Sequence, residues 1–114
     1  MKGDWKRIGS VGVGSGMLMI CDPCYIDDQW KKTEFDESKK AEGEFSYNGC
    51  AQATLTKERS GQLNYTLGHA GAGVAFSSGW GDGEYIVYAK ICTSGESKGR
   101  IMAVKVIMID SEEE

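Results

Sequence analysis

The chain has 114 residues, of which 40% are hydrophobic and 26% charged, and a net charge of −4. That length holds one domain with a core of its own, and the composition is too apolar for a chain that stays disordered. Most of the negative charge sits in the terminal Glu112, Glu113 and Glu114, which leaves the body nearly neutral and without an electrostatic footprint for nucleic acid or an anionic membrane.

No run approaches the roughly 20 apolar residues that span a bilayer. The first residues, Met1 to Arg7, lack the apolar stretch of a signal peptide. The expected location is cytoplasmic, with Cys21, Cys24, Cys50 and Cys92 as thiols or metal ligands rather than disulfides. Sixteen glycines against one proline point to tight turns in a β-protein rather than to a linker.

In chain order, residues 5–13 and 17–21 read as strands around a glycine hairpin at Gly14-Ser15-Gly16. Residues 27–44 mix both charges and read as a mobile surface loop, with one helical turn at 27–32. Residues 45–48 read as a short strand. Ala51, Ala53 and Leu55 alternate with polar residues, as do Leu63, Tyr65 and Leu67, so a hairpin is predicted with its loop at 57–61. Residues 74–76 are a further short strand. Residues 84–91 and 101–109 are β-branched and aromatic runs joined by a long loop. The last run is apolar on both faces except Lys105, which predicts a central, doubly covered strand. Seven or eight short strands suggest a sandwich or barrel.

Four constellations carry possible chemistry. In Ser77-Ser78-Gly79-Trp80-Gly81-Asp82-Gly83-Glu84-Tyr85, Trp80 offers a flat surface that can stack a base or face a cation, and Asp82 and Glu84 offer acceptors. The plainer reading is a tight turn in which the Asp82 side chain bonds its own backbone while Trp80 plugs the core. Cys21-Asp22-Pro23-Cys24 has chelating spacing, but one Cys-x-x-Cys without a second pair is a weak metal signal. The only histidine, His69, sits among glycines and reads as an exposed loop residue. Gly9, Gly12, Gly14 and Gly16 precede β-type residues rather than a helix, so they are no dinucleotide loop.

The run from Val74 to Tyr88, with Gly79-Trp80-Gly81-Asp82-Gly83 at its centre and Tyr85 after it, resembles the signature of the family called domain of unknown function 4241. Ser15-Gly16 and Asp22-Pro23 resemble its upstream elements, and residues 99–109 its last strand. The resemblance covers about half the chain, which is shorter than typical members and places Cys21 and Cys24 around its Asp-Pro. It implies a β-rich fold, brings no established activity, and implies that Asp22 and Asp82 serve a shared purpose.

The expectation is therefore an all-β, small single domain over residues 1–110, an antiparallel sandwich or partly open barrel, followed by an acidic disordered tail at 111–114. The expected function is a non-enzymatic binding module, of which a phage or mobile-element protein that sequesters a host factor is one form. The alternative is a small-molecule or nucleotide-binding protein, or a hydrolase, built around Asp22, Trp80 and Asp82. The candidate ligand-binding residues are Asp22, Trp80, Asp82, Glu84 and Tyr85. No catalytic residue, cofactor or metal is assigned, Cys21 and Cys24 being weak metal candidates. Self-association through an edge strand into a homodimer or higher oligomer is expected.

Overall fold

The computed structural model describes residues 2–109, so the expected acidic tail lies outside the described residues. Six strands form two three-stranded antiparallel sheets: β1 (Gly3–Val13), β2 (Met17–Cys21), β3 (Ser60–Asn64), β4 (Ala70–Ser77), β5 (Gly83–Cys92) and β6 (Ile101–Val106). The order is β1-β5-β6 in the first sheet and β2-β4-β3 in the second. A 3-10 turn at Pro23–Tyr25 and one α-helix, α1 (Tyr47–Thr54), complete the elements. The all-β class holds. The sheets do not close into a barrel, and the molecule is elongated, 50 × 36 × 22 Å.

The glycine turn at residues 14–16 is not a hairpin. β1 pairs with β5, from Gly3 opposite Cys92 to Val13 opposite Gly83. β2 pairs with β4, from Met17 opposite Ser77 to Cys21 opposite Gly73. The turn therefore carries the chain from the first sheet to the second, and Gly16 at φ +70° takes a backbone conformation that side chains resist. Residues 78–82 carry the chain back, and the Ser78 amide donates to the Gly16 carbonyl at 3.0 Å. The two crossings thus lie side by side at a single junction.

The second sheet has a covered face. Ser46 caps α1 by accepting from the Gly49 amide at 2.9 Å, and Cys50 and Ala53, three residues apart, turn inward. They pack with Phe45, Leu63, Ala72 and Ala75 as one buried cluster, bordered by Met17, Met19, Tyr25, Trp30 and Tyr65. Trp30 meets Phe45 edge to face with ring centres 5.0 Å apart.

This corrects the predicted strands at 45–48 and 51–56. The alternation of Ala51, Ala53 and Leu55 coincided with a period of 2, but the Ser46 cap and the helix-favouring alanines set a helix. Leu55 is left exposed. Gly49 is required where α1 meets the preceding chain, because a Cβ there would lie 1.8 Å from the Glu44 carbonyl oxygen.

The 27–44 segment is also held more firmly than expected. The Gln52 amide donates to the carbonyls of Lys39 and Asp36 and accepts from the Ala41 amide, while Asn48 accepts from the Asp36 amide. Two side chains of α1 thereby pin a loop whose own sequence is polar and charged. The helical turn predicted at 27–32 falls earlier, where Asp22 and Pro23 start it.

The first sheet has no such cover. β5 is central and β6 is an edge strand, pairing among the described residues with β5 alone. Ile101, Met102 and Val104 of β6 are exposed, as are Trp5 and Ile8 of β1. The last apolar run is thus neither central nor doubly covered, and it leaves the sheet at Val106. Its pattern reported apolar faces faithfully, but pattern alone cannot say whether this chain covers them.

Candidate functional site

The residues of the Gly-Trp-Gly-Asp-Gly turn sit at the junction between the sheets. Gly79 and Gly81 take φ of +58° and +92°, so the chain reverses sharply on both sides of Trp80. The turn is locked from inside. The Ser78 hydroxyl, fully buried, donates to the Gly81 carbonyl at 2.8 Å, and the Tyr85 hydroxyl donates to the same oxygen at 2.8 Å. The Gly81 amide closes the turn on the Ser78 carbonyl at 3.1 Å.

Trp80, held on this rigid turn, points outward and is 65% exposed. It does not plug the core. The segment after β6, residues 107–109, runs against Gly79, where a Cβ would come within 3.0 Å of Met108 and Ile109. Between this segment, Trp80 and β5 lies a cleft of about 600 Å³, lined by Trp80, Glu84, Tyr85, Ile86, Tyr88 and residues 107–109. Glu84, Ile86 and Tyr88 alternate along β5 and so share one face of the sheet.

Three of the five candidate ligand residues, Trp80, Glu84 and Tyr85, are brought together here. Asp82 belongs to the same turn but does not line the cleft, and no hydrogen bond among the described residues ends on its carboxylate. The expected local bonding of Asp82 is therefore replaced by the Ser78 and Tyr85 hydroxyls converging on Gly81. Asp22 is elsewhere. It follows Cys21, at the opposite end of the β2–β4 ladder from Ser77, four strand steps or roughly 13 Å away. Its carboxylate accepts from the Cys24 amide at 3.0 Å and starts the 3-10 turn with Pro23 at its first position. That bond holds the Asp22 carboxyl below its ordinary value. The two aspartates thus belong to two separate turns.

Burial pushes Cys50 up to about 11, burial raises Cys21, and the Asp22 side chain raises Cys24. A thiol activated as a nucleophile carries the opposite shift. Cys50 instead donates to the Met19 sulfur at 3.7 Å within the core. Among the described residues no three His, Cys, Asp or Glu side chains converge as a metal-binding group.

A second aromatic cluster escaped the sequence reading. Tyr25 meets Tyr65 edge to face at 5.0 Å, and His69 lies over Tyr65 at 4.6 Å. With Gln29 and Leu67 they line a shallow cleft of about 290 Å³. The Tyr65 hydroxyl pushes the Tyr25 hydroxyl up to about 12. Forty residues separate the two tyrosines, so no local pattern could have joined them. His69 is exposed, in the turn between β3 and β4, as its glycine-rich surroundings predicted.

These features define a class: a small all-β domain in which two short sheets share one junction, a helix covers the second sheet, and an exposed tryptophan overhangs a cleft on the first. A family described as protein of unknown function (DUF4241) matches residues 4–106, and the chain belongs to it. The match runs from β1 to the last residue of β6, so it embraces both sheets and the junction. No curated protein and no solved structure matches the chain. Among the described residues, no helix is long and apolar enough to cross a membrane.

Proposed function

We propose that this protein is a non-enzymatic binding module that seats part of a partner in the cleft under Trp80. The observation that carries this reading is Trp80 itself, a large aromatic side chain held 65% exposed on a turn locked from within. Immobilising an exposed aromatic group lowers the entropic cost of binding through it, and aromatic anchors dominate recognition energetics. The lining supports a binding role over a catalytic one. Among the described residues of the lining, Glu84 and two tyrosines are the titratable groups, and none of these residues is a nucleophile set beside a base. A phage or mobile-element protein that sequesters a host factor is one form of the reading, in keeping with the 114-residue length and net charge of −4.

The same reading has the protein self-associate through β6. Its outer edge pairs with no strand among the described residues, and Ile101 and Val104 are exposed on it. An unblocked apolar edge is a template for a second strand, and two-fold pairing of like edges is the simplest closed solution.

The test is a fragment screen on isotope-labelled protein, read by the three tryptophan indole signals. Hits that shift the Trp80 signal and leave Trp30 unmoved support the reading. Hits confined to the Tyr25–Tyr65–His69 cluster, or no hits at all, contradict it.

A further inference from the structure

Two exposed tryptophans flank the first sheet, Trp5 on β1 and Trp80 on the turn before β5, and among the described residues only Trp5 has a cation. The Lys105 ammonium sits 4.1 Å from the centre of the Trp5 ring and 5.6 Å from that of Tyr88. It reaches both because Trp5 and Tyr88 project from the same face as Lys105, which stands opposite Tyr88 in the β5–β6 ladder. Trp80 has no such neighbour among the described residues. None of the described residues lining its cleft is Lys, Arg or His.

Glu84, on the same cleft wall, makes no ion pair or hydrogen bond among the described residues. The nearest cations along the sheet, Arg7 and Lys105, stand opposite Tyr88 from its two flanking strands. Tyr88 is four residues, or roughly 13 Å, along β5 from Glu84. Lys105 is already engaged there. The cleft therefore combines an exposed aromatic face, a carboxylate without a cation among the described residues, and aliphatic walls from Ile86 and Ile107.

From this juxtaposition, and resting on the reading of the cleft as a binding site, we infer that the cleft takes a lysine or arginine side chain from a partner protein. The cationic head lies against the Trp80 face and the Glu84 carboxylate. The methylene stem lies along Ile86 and Ile107, as long basic side chains do on apolar surfaces. A cation over an indole ring is drawn to its negative face, most strongly when partly desolvated. The site thus reproduces, for an external cation, what Lys105 does internally for Trp5.

The experiment titrates the full-length, labelled protein with blocked tripeptides carrying a central lysine, arginine or Nε-acetyl-lysine, and with adenosine monophosphate. The readout is the Trp80 indole signal, assigned with Trp80→Phe. Lysine and arginine peptides should shift it saturably in the millimolar range. Acetylation, which removes the charge and keeps the stem, should weaken binding about tenfold, as should Glu84→Gln. Glu84 is a surface residue without a partner among the described residues, so Glu84→Gln should leave the melting temperature unchanged and report on binding alone. Equal binding of acetylated and free lysine, or a Glu84→Gln variant that binds as tightly as the parent, overturns the inference. So does a Trp80 response to the nucleotide but not to the basic peptides. In these outcomes the cleft still binds and the broader reading stands. A Trp80 signal that no probe or fragment moves defeats both.

Discussion

The two sheets are built from the same number of strands and have opposite surroundings. The second sheet buries one face under α1, with Leu63, Ala72 and Ala75 from its strands meeting Phe45, Cys50 and Ala53. The first sheet has solvent on much of both faces, and Trp5, Ile8, Ile101 and Val104 stand exposed on it. Burial of apolar area is the main stabilising term in folding. The second sheet is thus where most apolar area is buried, and the first is where apolar surface remains exposed. The junction of glycine turns couples them, so Trp80 stands on a turn that joins the two.

This contrast can be broken most severely in the core. Leu63→Ala removes a fully buried side chain from β3 and should cost about 2–5 kcal/mol, measured by urea unfolding. Val104→Ala on exposed β6 should stay within about 0.5 kcal/mol in dilute protein. Similar costs for the two would erase the distinction between the sheets.

The edge strand gives the next largest effect. Light scattering across a dilution series should show an oligomer that dissociates to monomer. Val104→Lys, which places a charge on the edge, should weaken association by tenfold or more, about 1.4 kcal/mol. A monomer mass at every concentration into the hundreds of micromolar (far above the roughly 1 μM of an ordinary 8 kcal/mol association) removes self-association from the account.

The junction sharpens the comparison further. Ser78→Ala deletes one of two hydroxyl bonds to the Gly81 carbonyl and should cost about 1 kcal/mol. Asp82→Ala, which breaks no bond among the described residues, should change stability by less than about 0.5 kcal/mol. A larger loss in Asp82→Ala than in Ser78→Ala would return the aspartate to a structural role in the turn.

The smallest effect is at Asp22. Its folded carboxyl titrates below the unfolded value because the Cys24 amide bonds it. The stability it contributes is therefore present above the unfolded value, near 3.8, and is lost as pH falls through the lower folded value. Melting temperatures of the parent and of Asp22→Asn should accordingly converge as pH drops below about 4. A gap that widens on acidification contradicts that assignment.

How much of this was legible in the sequence varied with the kind of signal. Residues 17–21 were read to the residue, because an apolar run bounded by Gly16 and Pro23 leaves little freedom. The long strands β1 and β5 were also visible from their β-branched and aromatic content. α1 was missed because Ala51, Ala53 and Leu55 fit a period of 2 as well as one helical turn, and the deciding Ser46 cap is a single residue. β6 was misplaced at the centre of a sheet because apolar side chains on both faces look alike whether a neighbouring strand or a second molecule covers them. The turn that carries Trp80 was legible from local glycine spacing. The pairing of Asp22 with Asp82 failed because separation along β2 is a property of strand register, which neither turn encodes. The closing wall at 107–109 depends on the chain folding back against Gly79, a contact thirty residues distant in sequence.

The claim that one sheet holds the fold while the other is open for recognition is tested most directly by native-state hydrogen exchange in dilute protein. The ladder amides of β3 and β4 beneath α1 should exchange only through global unfolding, with a free energy equal to that from urea denaturation. The β6 amides bonded to β5 should exchange through local opening at a clearly lower free energy. Equal protection in both sheets, or β6 amides that outlast those of β4, would contradict it.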